Sequence, residues 1–339
     1  MARVAVIGRL DGEERAKLAL FACALRQAGH APVIVDAELF RAGLCFYADG
    51  SVRCSPGAVV QTVARLEGHH RLLDGTPAVA VATAVPLITA GGGGAAGAVR
   101  VDAVLIDAVL IDAVLIDAID IDRRLEFEGL YRQVGTIPWE SVLNVTFKNR
   151  TRHLLDGHLP QPRWAVATPG DDPSLVRHGV SEGDVWVKSP NDTHGRGVHF
   201  VAHGEGIDKP VRSAMRDTPD GRLCLIEEDI HPLSRAGRAD LSVTVVGGRA
   251  VHAVWRFHHE RRAPTNSAHG GWSVAADVAS LPAATRELAE QALTAAGLTY
   301  GSADLFGATI GELNLQPGGH SPGFLERVVT PLVAALRVR

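Results

Sequence analysis

The chain begins with a short apolar run, "RVAVIG" (residues 3–8). "EERAKLALFACALRQAGH" follows, with apolar positions recurring every three or four residues, and then a second apolar run, "APVIVDAE". Strand, helix and strand in that order predict a parallel sheet, because parallel strands need a crossover of helical length. Farther on, "CFYADGSVRC" predicts a hairpin around Asp49-Gly50, and "AVVQTVARLEGHHRLL" (residues 58–73) predicts another helix. Beyond residue 138 the pattern becomes strand-rich. "WESVLNVTFKNRTRHLLDGHL" is helical and stops at "PQP". "RWAVAT", "DVWVKSP" and "VHFVAHG" predict strands, and "RLCLIEEDI" a buried strand that turns acidic. "ADLSVTVVGGRAVHAVWRF" predicts a hairpin turning at Gly247-Gly248. "AATRELAEQALTAAG" predicts a helix capped by Gly297, "YGSADLFGATIGELNLQ" a final strand pair, and "PGFLERVVTPLVAAL" a closing helix.

Two segments resist this scheme. "GGGGAAG" (residues 91–97) lacks the Gly-Lys-Ser/Thr that would make it a phosphate loop, so it reads as a flexible linker. In "VDAVLIDAVLIDAVLIDAIDIDRR", Asp102, Asp107, Asp112, Asp117 and Asp122 recur every five residues. That period fits neither a strand nor a helix. The segment reads as a short tandem duplication, one copy of which serves as a strand.

Composition narrows the function. At 339 residues and 46% apolar content, the chain can bury a sizeable core in two or three domains. A net charge of −4 argues against nucleic-acid binding by bulk charge. The repeat is broken by aspartates too often to span a membrane, and "MARVAVIGRLDGEER" turns charged too early for a signal peptide. Cys23, Cys45, Cys54 and Cys224 show no zinc or redox spacing and read as free thiols. A cytoplasmic protein is expected.

Candidate chemistry gathers in the second half. Lys188 ends the strand "DVWVK", and the loop Ser189–Gly197, with Asp192, Gly195 and Gly197, follows it. A strand-end lysine before a glycine-bearing loop suits a phosphate, since backbone N–H groups can close over the anion. "LIEED" places Glu227 and Glu228 after a buried strand, where backbone groups can meet an adenine edge; Asp240 either binds ribose hydroxyls or is a turn residue. In "GELNLQPGG", Glu312 and Asn314 lie two apart and so share a strand face, while Asp304 lies on the preceding strand. Three such oxygen donors make a coherent Mg²⁺ site for a nucleotide triphosphate; the alternative is a polar hairpin end.

With Lys148 on a helix, Lys188 on a strand, the glycine loop, the acidic strand end and the Glu/Asn strand in this order, the chain resembles the ATP-grasp superfamily. It is most similar to the RimK-type, glutathione-synthetase-like carboxylate–amine ligases. The resemblance covers residues 140–325, plus the βαβ start typical of the family's preceding domain. "KNRTRHLLDGHLPQP" looks like its lysine-led helix, and "KSPNDTHGRGVHFV" matches its lysine followed by GxGV. "LIEEDI" looks like its hinge, "RAPTNSAHGG" like its RSNLHRGG segment, and "ELNLQPG" matches its ExNxxPG. The family's arginines are replaced at Ser242, Pro264 and His269, and a glycine at Asp192.

The resemblance implies an α/β (α+β) architecture with a Rossmann-like parallel α/β domain over residues 1–125. An ATP-grasp lid subdomain over 126–210 and a C-terminal subdomain over 211–339 would then clamp ATP. It implies ATP contacts from Lys148, Lys188, Asp192, Gly195, Gly197, Glu227, Glu228, Ile230 and Asp240. Two Mg²⁺ ions, replaceable by Mn²⁺, would be held by Asp304, Glu312 and Asn314, and Arg256 and Asn266 would be catalytic. The implied reaction joins a small-molecule or peptide carboxylate to an amine through an acyl phosphate, releasing ADP and phosphate. Macrocycle formation on a ribosomal precursor peptide and a non-catalytic nucleotide-binding protein are the alternatives. Neither nucleic acid nor membrane is expected as a partner; a homo-oligomer is compatible with the sequence.

Overall fold

The computed structural model describes residues 3–8, 21–36, 45–46, 51–53, 58–71, 77–90, 99–100, 103–106, 137–190, 197–216, 222–231, 233–234, 237–265, 269–315 and 325–335. They form two compact units, Met1–Trp139 with Gly318–Arg339, and Glu140–Pro317.

In the first unit, Arg3–Gly8 pairs in parallel with Ala31–Asp36 on one side and with Ala103–Ile106 on the other. The expected βαβ opening is present: residues 21–27 are helical, and Phe21, Ala22, Ala24 and Leu25 are buried. Ala103–Ile106 is the first "AVLI" copy of the five-residue repeat, and this copy joins the sheet. The later copies, like the glycine run 91–97 and the Asp49-Gly50 turn, lie outside the described residues. The strands Cys45–Phe46 and Ser51–Arg53 of the expected hairpin do pair.

The helix expected over 58–73 is instead a strand, Ala58–Arg71, antiparallel to Pro77–Ala90 at the edge of the same sheet. Val59, Val60, Thr62 and Val63 are β-branched, which favours a pleated surface once a partner exists. The closing helix starts as a π-helical turn, Leu325–Val329, and becomes α-helical over Thr330–Ala335.

The second unit holds two antiparallel sheets. The four-stranded one runs Val198–Val201, Val185–Lys188, Cys224–Glu228, Trp164–Ala167. Strand alternation sends Val185, Val187, Cys224 and Ile226 into a core with Val211, Ala214 and Met215 of helix Asp208–Arg216 and Val180 of helix Pro173–Val180. Trp186, Lys188, Leu225 and Glu227 therefore share the opposite face.

The larger sheet runs Trp272–Ala276, Arg249–His258, Gly237–Val246, Tyr300–Phe306, Thr309–Asn314, with Leu233–Ser234 added to Gly237–Val246. The predicted turn is formed by Gly247 and Gly248 at φ 57° and 78°, a backbone that two glycines adopt without strain. Leu241, Val243, Val245, Ala303, Leu305 and Leu313 are buried on one face, where helix Ala283–Ala295 brings Ala289, Ala292 and Leu293. That burial fixes which way the remaining side chains of these strands point.

The single helix expected before "PQP" is two, Trp139–Thr146 and Lys148–Leu155. They are separated by extended Phe147 (φ −99°, ψ 107°), and the Lys148 amide donates to the Pro190 carbonyl at 2.7 Å. Lys148 thus starts its own helix. Among the described residues no helix is long and apolar enough to cross a membrane.

Candidate active site

The polar face of the larger sheet is set by register. Asp240 lies opposite Arg256, Ser242 opposite Asp304, and Asp304 opposite Glu312, with Asn314 two residues further along the Glu312 face. Since cross-strand partners share a face, one surface collects three carboxylates, an amide and a guanidinium. Arg256 bridges two of the carboxylates: Nε donates to Asp240 Oδ1 at 2.6 Å and Nη2 to Asp304 Oδ2 at 2.8 Å. Asn314 Nδ2 also donates to Asp304 Oδ2, at 2.9 Å, and the Thr265 hydroxyl donates to Asp240 Oδ2.

The other Asp304 oxygen, Oδ1, is buried and meets no hydrogen-bond geometry among the described residues, the Ser242 hydroxyl on the facing strand being a weak influence on the carboxylate. Burial raises the Asp304 pKa above the usual aspartate value, and the neighbouring Asp240 and Glu312 charges add to that against the pull of Arg256. An orphaned buried carboxylate oxygen beside a second carboxylate and an amide oxygen suits a hard divalent cation. The donor set therefore fits Mg²⁺. Among the described residues no group of three or more His, Cys, Asp and Glu side chains is arranged to hold a metal; this triad has two carboxylates and one amide.

On the smaller sheet the arrangement differs. Glu227, 1% exposed, accepts from Lys188 Nζ at 2.6 Å and from Arg152 Nε at 2.7 Å. Burial opposes its charge, but the two cations outweigh burial and lower its pKa to about 2. Helix Lys148–Leu155 reaches the larger sheet as well: Lys148 Nζ lies 3.1 Å from Glu312 Oε1. Burial also opposes the charge on Glu312, yet Lys148 and Lys188 hold its pKa below the usual value. Lys148, Lys188, Glu227, Asp304, Glu312 and Asn314, predicted from separate motifs, thus form one connected set.

Other predicted positions behave differently. Glu228 is bound twice by Arg163, from the backbone N (2.7 Å) and from Nε (2.8 Å). The amides of Glu228 and Asp229 go to the carbonyls of Arg163 and Asp184, and Ile230 is half-buried beside them. Asp229 is gathered by Trp186, His231 and Arg238, and burial lowers the His231 pKa to about 4. Gly197 has φ 60°, and its carbonyl accepts from the Ser189 amide at 2.8 Å. Asp192, Gly195 and Asn266 lie outside the described residues. Sequence reasoning missed Arg152. Its signal was available: it lies four residues after Lys148 on the same helix face.

No protein-family model and no curated protein sequence matches the chain. Solved structures do. The chain is similar to D-cycloserine synthetase DcsG at 14% identity and TM-score 0.65, covering 98% of each chain. It is also similar to the ATP-grasp ligase PsnB complexed with a minimal precursor, at 15% identity and TM-score 0.57, covering 98% of this chain and 97% of that one. The chain has the ATP-grasp fold. A third likeness, D-alanine–D-alanine ligase from Bacillus anthracis complexed with ATP, has 12% identity and TM-score 0.57 over 98% and 95% of the two chains. The expected α/β (α+β) architecture is therefore present, with two antiparallel sheets among the described residues; identities this low carry the fold and nothing finer.

Proposed function

We propose that the protein is an ATP-dependent ligase that joins a carboxylate to an amine through an acyl phosphate, releasing ADP and phosphate. One observation carries this reading: two lysines from different elements and an under-satisfied acidic face meet in one site on an ATP-grasp fold. Lys148 and Lys188 would bind ATP phosphates with the Asp192–Gly197 loop. The hinge Glu228–Ile230 would meet the adenine through backbone groups other than the Glu228 and Asp229 amides, and Asp240 would lie toward the ribose. Asp304, Glu312 and Asn314 would hold Mg²⁺. When bound, Mg²⁺ would neutralise phosphate charge as it develops.

The chain's own groups do the rest. Lys148 keeps Glu312 ionised; Arg256, kept charged by Asp304 and Asp240, offers a fixed cation to an oxyanion on the transferred acyl group. Asn266 would share that task. No protein nucleophile takes part. In this reading residues 1–125 form a Rossmann-like preceding domain, 126–210 the lid and 211–339 the Mg²⁺-bearing half, in a cytoplasmic enzyme.

The likeness to PsnB favours one second reading. That protein is solved with the precursor peptide PsnA2 and AMPPNP, so the acid or amine here would be a peptide side chain and the product a macrocycle. The experiment is a screen of small acids, amines and peptides for ATP-dependent phosphate release. Release with a carboxylate–amine pair supports the first reading, and release only with a long peptide the second. ATP binding without turnover of any pair sinks both and leaves a non-catalytic nucleotide-binding protein.

A further inference from the structure

Arg152 is 3% exposed in the middle of helix Lys148–Leu155, and it has three partners on two different sheets. Nε donates to Glu227 Oε1 on the smaller sheet (2.7 Å). On the larger sheet, Nη1 donates to the Ile310 carbonyl (3.0 Å) and Nη2 to the Gly311 carbonyl (2.5 Å). The two carbonyls immediately precede Glu312. Glu227 in turn holds Lys188 by its second oxygen. Lys148, one helical turn before Arg152, holds Glu312 itself.

Burial of a charge pair rarely stabilises a fold more than apolar packing of the same volume, so stability alone is a poor explanation for this one. Charge and shape supply a better one. Arg152, Lys188 and Glu227 together carry one net positive charge, on a lysine that is partly exposed. Without Arg152, Glu227 would neutralise Lys188. The guanidinium's flat fork also suits one carboxylate oxygen and two successive carbonyls at once, which a single ammonium does not reproduce. The strand it grips is tightly seated: a Cβ on Gly311 would fall 2.1 Å from the Phe306 ring, and the Ile310 amide is held by the Pro160 carbonyl at 2.9 Å.

We propose that Arg152 is a positioning residue that couples the phosphate lysine Lys188 to the Glu312–Asn314 strand, so that nucleotide and divalent cation bind cooperatively. This rests on the ATP and Mg²⁺ reading above and assigns it a residue that touches neither ligand.

The test measures affinity for AMPPNP by calorimetry with and without Mg²⁺, which needs no knowledge of the substrates. In the parent, Mg²⁺ is expected to strengthen AMPPNP binding. Arg152→Lys keeps the charge but loses the fork. It is expected to keep Mg²⁺-free affinity within about twofold and to lose most of the Mg²⁺ gain, about tenfold or more. If Arg152→Lys folds poorly, Arg152→Gln serves instead: it lowers Mg²⁺-free affinity, because Glu227 then neutralises Lys188, and the Mg²⁺ gain is lost in addition. Equal losses with and without Mg²⁺, or parental behaviour in both variants, overturn the coupling. A parent that binds no AMPPNP at all overturns the ATP reading itself, a different result.

Discussion

Two buried carboxylates of the same unit are treated in opposite ways. Glu227 on the smaller sheet has a cation on each oxygen, and its pKa falls to about 2. Asp304 on the larger sheet shares one oxygen between Arg256 and Asn314, keeps the other orphaned, and has its pKa raised by burial and by its acidic neighbours. Burial is the largest influence on both. What differs is the supply of positive charge. The first carboxylate is a finished anchor. The second is one cation short, which is the deficit the proposed Mg²⁺ would fill.

The largest effect is expected at Glu227. Glu227→Gln leaves Arg152 and Lys188 facing a neutral amide, and the expected cost is about 3–5 kcal/mol by urea unfolding at pH 7. A carboxylate whose folded pKa lies below its unfolded value stabilises the fold above the unfolded pKa and loses that contribution as pH falls through the folded one. The gap between parent and variant should therefore close between about pH 4.5 and about pH 2. A gap that persists unchanged down to pH 2 would show that packing, not charge, is what Glu227 supplies.

Glu312 lies between the two cases, since it has a lysine partner but belongs to the acidic face. Glu312→Gln should lower the proposed ligase turnover about 10²- to 10³-fold, the usual cost of removing one preorganised charge from a transition state. Crowding among carboxylates alone would make this change stabilising. The Lys148 pair reverses that sign, so the metal-free variant should melt slightly below the parent. Near-parental turnover, measured with the substrate pair from the phosphate-release screen, would return "GELNLQPGG" to a polar hairpin end.

Gly311 acts on the Glu312 strand through the backbone. Gly311→Ala drives a methyl group into the Phe306 ring and should cost about 1–3 kcal/mol. Because Glu312 is the next residue, the Mg²⁺ effect on AMPPNP affinity should fall with it. Unaltered melting would mean that Phe306 simply turns aside.

The smallest effect is expected at Asp304, and its sign is the point. A carboxylate with a raised folded pKa weakens the fold as pH rises above the ordinary aspartate value. Asp304→Asn should therefore melt at or above the parent at pH 7 without Mg²⁺, and should lose the stabilisation that Mg²⁺ with AMPPNP gives the parent. A metal-free Asp304→Asn protein that melts well below the parent would make Asp304 an anchor like Glu227 and erase the contrast.

Much of the site was legible along the chain. Glu312 and Asn314 were set on one face by strand period alone. Lys188 was placed at a strand end by "DVWVK", and Gly247-Gly248 announced their turn. These are local properties, carried by a few consecutive residues. The strand Ala58–Arg71 was misread because its run of apolar residues fits a helix as well as a strand, and its partner Pro77–Ala90 decides between them. Three near-identical "AVLI" runs could not be ranked either, because only pairing with Arg3–Gly8 distinguishes the copy at Ala103–Ile106.

Local spacing along the chain sets the periods, the turns, and which residue types stand at the ends of strands. Tertiary structure alone decided that Asp304 faces Glu312, that Arg256 lies between Asp240 and Asp304, and that Glu227 is an anchor. Arg152 is the clearest case: its partners lie 75, 158 and 159 residues away. Spacing along a chain fixes which face a side chain occupies, because backbone geometry repeats over a few residues. It carries no information about which distant charge will meet that face, and for a buried ion the distant partner sets the sign of its energy.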